Sequence, residues 1–241
     1  MCFSSYCFQV PCVPGWRAGT VAAADGSYHS LDSESARVIA IKDLPGLQAR
    51  GQDYYSQPFC GICVVGVLIA LFVSCTRSAV ADSAGGYDWT LPNACVVAVF
   101  AEAGIAVFMV LYILFAGAGE IRRSPGTCYP IPPEVDQRLR RGESLQDMEN
   151  VQANTERADH AGMPDGTYCV RCLVWRPNVG RKAHHCRTCG RCVVGFDHHC
   201  DVFGRCIVQG NMLCFNGLIS MMVAGIVTTM LAVIASAPGV E

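Results

Sequence analysis

Charge is scarce in this chain. Only 16% of its 241 residues are Asp, Glu, Lys or Arg, and the formal net charge is -2. A balance so near neutral gives no electrostatic reason to expect a nucleic-acid partner. A secretory signal is also missing: Met1 to Val13 lacks a basic start and an unbroken apolar run of adequate length, so targeting falls to the first membrane span. No repeat recurs at solenoid spacing, which excludes a stacked-repeat architecture. What charge there is clusters in the middle, while the apolar residues, 51% of the whole, gather in blocks. That distribution suits membrane spans joined by water-facing loops, not one soluble core.

The first block, Phe59 to Thr76, meets no charge until Arg77. At about 1.5 Å per residue it just spans a hydrocarbon core of roughly 30 Å. Its lack of a polar face argues against a buried helix of a soluble protein. Ala94 to Ala116 and Phe215 to Ala237 form the second and third blocks, and Ser78 to Asn93, with Gly85, Gly86 and Pro92, reads as a loop. Glu102 lies inside the second block. An intramembrane acid is costly and a functional candidate by default; the plainer alternative is a carboxyl that reaches water near one interface. Thirteen of the 18 Lys and Arg fall between Arg122 and Arg205. The positive-inside rule then predicts a cytosolic central region and N-terminus.

The expected fold class is an α-helical integral membrane protein with three spans and a small, mostly irregular or β-hairpin zinc domain in the cytosol. The predicted segments are a flexible cytosolic tail (1–57), span one (58–77), a lumenal or extracellular loop (78–93), span two (94–119), a cytosolic linker (120–165), a cysteine-rich zinc domain (166–212) and span three (213–237). Within the linker, Pro130 to Ala161 reads as flexible, in part helical from Pro133 to Asn150.

Sixteen cysteines are many for this length, and seven of them fall between Cys169 and Cys206 with four of the six histidines. Disulfide frameworks do not usually recruit histidine, whereas zinc sites do. Cys169/Cys172, Cys186/Cys189 and Cys189/Cys192 are C-x-x-C pairs, a spacing that lets a tight turn aim two thiolates at one ion. Eleven potential ligands exceed two four-ligand sites by three, so some groups stay available for chemistry. A plain zinc-binding interaction module remains an alternative reading, and a disulfide-rich ectodomain is opposed by the basic flanks.

The stretch from Cys169 to Phe215 resembles the cysteine-rich domain of the DHHC palmitoyltransferases. It contains Asp197-His198-His199-Cys200, Arg176-Pro177, and Asn211 with Phe215 in an Asn-x-x-x-Phe entry to the third span; Ser124-Pro125-Gly126 resembles the family's Asp-Pro-Gly element. The resemblance implies two structural Zn2+ ions. Cys169, Cys172, His185 and Cys192 would hold one; Cys186, Cys189, His199 and Cys206 would hold the other. It further implies acyl transfer from palmitoyl-CoA or another long-chain acyl-CoA to accessible cysteines of cytosolic or membrane-associated proteins, through an acyl-enzyme on Cys200. His198 would be the base and Asp197 its support. Neighbours in an extended strand point opposite ways, so a bend at Asp197 to Cys200 is expected, imposed by metal held at His199 and Cys206. The implied location is a multi-pass membrane protein of the Golgi, endoplasmic reticulum or plasma membrane.

The chain departs from that pattern. Asp201-Val202 stand where the family has Pro-Trp. A carboxylate there works against a thiolate at Cys200 unless Arg205 or another cation offsets it. Asn178 to Gly180 reads as a loop insertion. A fourth span and a Thr-Thr-x-Glu motif are not found; Thr228-Thr229 lie inside the third span. The expectation is a fragment, a chain truncated after the third span, or a diverged paralogue. A catalytically silent zinc-binding membrane adaptor on the same fold is the alternative function.

Overall fold

A long run without charge has no water to bond its backbone inside a bilayer, so it must satisfy those groups within a helix. The computed structural model describes residues 38–81, 90–153, 164, 166–177 and 182–237. In chain order its elements are α1 (Gln52–Ala81), α2 (Leu91–Phe115), the short α3 (Pro125–Cys128) and α4 (Pro133–Arg141), strands β1 (Val151–Gln152), β2 (Gly166–Cys169), β3 (Val174–Pro177), β4 (Ala183–Cys186), β5 (Arg191–Val194), β6 (Phe196–Cys200) and β7 (Arg205–Val208), and α5 (Met212–Ala235). The expected tail up to residue 37, residues 82–89 of the 78–93 loop, Cys2, Cys7, Cys12 and the insertion at 178–180 lie outside the described residues.

Three of these helices are long and apolar enough to cross a membrane. At 1.5 Å per residue the shortest of them, α5, measures about 36 Å, more than the roughly 30 Å of hydrocarbon. Val67, Phe100, Phe108, Val223 and Met230 stand exposed on their outer faces. This is the surface that lipid accommodates and water does not.

The chain forms two compact units. Gly51–Ala118 and Asp197–Glu241 make one, and Met1–Arg50 and Gly119–Phe196 the other. In the helical unit α5 packs on α2, and α1 packs on both. Two glycines of α5 mark close approach by a neighbouring helix. A Cβ at Gly217 would lie 2.5 Å from Met109 Cε, and one at Gly225 would lie 2.6 Å from Phe72 Cδ2. Gly104 has nothing within 4 Å, so it serves no helix contact among the described residues. β6 and β7 also belong to this unit and pair with each other. The turn between them is fastened to the start of α1. Gly204, at φ +59°, sits against Pro58, and Phe203 covers Gly61, where a Cβ would come within 2.6 Å of its ring.

The other unit is built on a three-stranded antiparallel sheet, order β1-β2-β3, and the β4-β5 hairpin. Tyr168 and Trp175 meet edge-to-face at 5.1 Å in its core, and Trp175 Nε1 donates to the Pro130 carbonyl at 2.7 Å. The segments read as tail and linker take part in this core. Leu44 and Val135 are buried, and Leu139, Leu145 and Met148 pack against them and their neighbours. Arg123 ties the tail in by donating to the carbonyls of Cys172 and Pro45. Polar spacing along Pro130 to Ala161 hid these few apolar contacts, because α4 turns only one narrow stripe inward. Ser124-Pro125-Gly126 opens α3, where Thr127 Oγ1 accepts the Ser124 backbone N–H at 2.9 Å.

Candidate functional site

Metal-ligand spacing in the sequence becomes convergence through two tight turns. Cys169 ends β2, and the turn that follows carries Cys172 and Leu173, the latter at φ +56° with its N–H on the Cys169 carbonyl. Across the β4-β5 hairpin, His185 stands opposite Cys192. His185 Nδ1 therefore lies 3.6 Å from Cys169 Sγ, 3.2 Å from Cys172 Sγ and 3.6 Å from Cys192 Sγ. Tetrahedral zinc with its usual Zn–S and Zn–N lengths sets sulfur and nitrogen about 3.6 Å apart. The donor set fits that ion without rearrangement.

Crowding perturbs the same groups. Hydrogen bonds from Cys172 and then Cys192 hold the Cys169 thiol far below its usual range. The Cys169 and Cys172 contacts push Cys192 far above. The Cys169 and Cys172 thiols raise His185 to about 9. Several sulfurs cannot share one negative region unaided, and a dication removes the conflict.

Of the second expected group, Cys186 and Cys189 belong to one unit and His199 and Cys206 to the other. Cys186 and Cys189 flank the β4-β5 turn, where the Cys189 N–H points at Cys186 Sγ from 3.4 Å. In the helical unit, Cys206 Sγ lies 3.9 Å from His199 Nδ1. Gln57 of α1 sets the tautomer there: its Oε1 accepts from His199 Nε2 at 3.2 Å, leaving Nδ1 as the ligand nitrogen. Cys169, Cys172, His185 and Cys192, which lie within one unit, are thus suited to zinc. No disulfide occurs among the described cysteines.

Asp197, His198 and Cys200 stand outside both sets. His198 Nδ1 donates to Asp197 Oδ2 at 2.8 Å, which leaves Nε2 as the basic nitrogen. The expected bend is not there. Asp197 to Cys200 lie in extended β6, where residues two apart share a face; His198 and Cys200 fall on one side and His199 on the other without a kink. No hydrogen bond joins His198 to Cys200. Catalytic pairs in apo structures are often longer than bonding distance. Phe215 is their common neighbour: the His198 ring meets it edge-to-face at 5.4 Å, and Phe215 and Cys200 both line one cavity.

That cavity of about 340 Å³ runs among α1, α2 and α5. Its wall is apolar from Phe203 and Phe215 to Phe72 and Gly225, with Glu102 as the only ionisable side chain besides Cys200. Cys200 itself is 9% exposed.

Asn211 and Arg205 hold the strand pair in place. Asn211 Oδ1 accepts the Val208 N–H at 2.8 Å and its Nδ2 donates to the Cys206 carbonyl at 3.0 Å. Arg205 donates to the carbonyls of Leu114, Tyr54 and Gly204 and lies over the Tyr54 ring. The expected compensation of Asp201 by Arg205 therefore does not occur. The guanidinium is spent on carbonyls, and Asp201, with its side chain 84% exposed, has His199 Nε2 at 3.8 Å.

Residues 163–238 match the DHHC palmitoyltransferase family. No curated protein and no solved structure matches the chain. The DHHC domain match covers the described strands from β2 onward, both ligand groups, Cys200 and α5. Gln57, Gly61, Phe203 and Gly204 support the domain but were not singled out from the sequence. Their only signals were one glutamine before a span and two glycines, none informative without the fold.

Proposed function

We propose that this chain is a protein S-acyltransferase that carries a long-chain acyl group, such as palmitoyl, from acyl-CoA to cysteine thiols through an acyl-enzyme on Cys200. One observation carries the reading: Cys200, a cysteine outside both expected ligand groups, lines the apolar cavity. His198 Nε2 takes the Cys200 proton, and the thiolate sulfur attacks the thioester carbonyl carbon. The carbon–sulfur bond to CoA then breaks, and the CoA sulfur leaves with the proton from His198. In the second half a substrate thiol gives its proton to His198 and attacks the Cys200 thioester, returning Cys200 as a thiol. No electrons change hands. Asp197 holds the Nδ1 proton throughout. Zinc held by the expected Cys and His ligands would supply structure to the chain, and no step passes through it.

The cavity would take the acyl chain, where each buried methylene contributes about 0.8 kcal/mol. The Lys and Arg distribution supports a multi-pass protein with its zinc domain in the cytosol; the Golgi, endoplasmic reticulum or plasma membrane is the location the family resemblance implies. Asp201 beside Cys200 favours the competing reading, a silent zinc-binding adaptor. Incubation with an alkyne-bearing palmitoyl-CoA separates the two. Labelling that hydroxylamine removes and Cys200→Ser abolishes is the expected result; labelling undiminished in Cys200→Ser would mean that other thiols are passive recipients.

A further inference from the structure

Glu102 has a place in the cavity that simple burial does not explain. Its Oε1 accepts a hydrogen bond from Thr228 Oγ1 at 2.8 Å. Its Oε2 is buried and has no partner. The nearby hydroxyls are engaged, Thr228 with Oε1 and Thr76 with Thr229 at 3.2 Å. The remaining wall is apolar. A buried oxygen without a partner is costly, and a site with such a group discriminates against ligands that leave it unpaired.

Its depth is fixed by α2. Val110 belongs to the same buried cluster as Cys200. Glu102 lies eight residues further from the site, about 12 Å along the helix. Helical side chains lean toward the N-terminus, here away from Cys200. An extended chain advances about 1.1–1.2 Å per bond, so an acyl group on Cys200 brings the outer part of a sixteen-carbon chain to this carboxyl.

We propose that Glu102 is a specificity-determining residue that selects acyl chains carrying a hydroxyl at or near their far end. A hydroxyl both donates and accepts, so it satisfies Oε2 whether or not that oxygen carries a proton. A plain saturated chain of the same length leaves Oε2 unpaired. This inference rests on the acyl-transfer reading for its biological meaning, but the binding preference stands apart from catalysis.

The test uses the full chain in lipid nanodiscs with ω-hydroxyhexadecanoyl-CoA and hexadecanoyl-CoA. Initial rates of Cys200 acylation are read by intact-protein mass, and binding is read with the non-transferable thioether analogues of both. The hydroxylated chain is expected to react and bind at least about fivefold better. Glu102→Leu should remove or reverse the preference, and Glu102→Gln, which keeps hydrogen-bonding atoms, should retain it. Equal binding of the two analogues to the unaltered protein overturns the inference, as does a preference that survives in Glu102→Leu. If Glu102→Leu does not fold, the analogue comparison on the unaltered protein and on Glu102→Gln decides. A binding preference without acylation of Cys200 upholds the subsite and removes the transferase reading; acylation without preference does the reverse.

Discussion

Replacing Asn211 by Ala tests how the strand pair beside Cys200 is fixed to α5. Asn211 is 3% exposed. Its amide satisfies the Val208 N–H and the Cys206 carbonyl at 2.8 and 3.0 Å. Alanine removes the partner of the Val208 N–H and one donor to the Cys206 carbonyl where water does not reach. At about 1–3 kcal/mol for the orphaned N–H and about 0.5–1.5 kcal/mol for the bond the carbonyl loses, the loss is about 2–4 kcal/mol. For a chain of this size that lowers the unfolding midpoint by roughly 5–15 °C. Because the freed carbonyl belongs to Cys206, bound zinc should fall as well. The assay is thermal unfolding of the detergent-purified protein, with elemental analysis of the same sample. A midpoint within about 2 °C of the unaltered protein and undiminished zinc would refute the assignment.

The purified chain should carry about two zinc ions; one or none by elemental analysis would break the ligand assignment. Gln57→Ala removes the partner of His199 Nε2 and should weaken one of the two zincs by about 10- to 100-fold against a competing chelator, whereas equal release curves would deny Gln57 that role. Trp175→Ala deletes a core side chain 2% exposed and should cost about 3–5 kcal/mol, read as loss of near-ultraviolet dichroism at moderate denaturant; a shift under about 1 kcal/mol would contradict the packing. Gly225→Val drives a side chain into Phe72 and should cost about 1–3 kcal/mol by overpacking. Unchanged stability with unchanged Cys200 labelling would show that α1 and α5 separate there freely.

The helices and the metal module were legible because their physics is local. Charge-free runs such as Phe59 to Thr76 have one solution in a bilayer, although α1 begins at Gln52, before that run. The C-x-x-C spacing brings thiols together through a single turn, so a zinc module was readable from position alone. The linker was read as separate because α4 contributes mainly through Val135 and Leu139, a signal too sparse for periodicity. The bend expected at Asp197 to Cys200 failed for another reason. Strand alternation already places His198 and Cys200 together, but only the pairing of β6 with β7 establishes that the segment is a strand.

Residue types and spacing alone determined three apolar runs of membrane length and a cysteine- and histidine-rich module suited to metal. The division of its ligands into two sets, with Cys200 outside both, is what the family resemblance implies. The tertiary structure decided what surrounds that thiol. It brought Gln57 to His199, set Gly204 and Phe203 on α1, and turned Glu102 toward Thr228 at the inner end of the cavity. Those contacts join residues more than a hundred positions apart. No local preference encodes them, because each depends on which faces of three nearly uniform apolar helices meet.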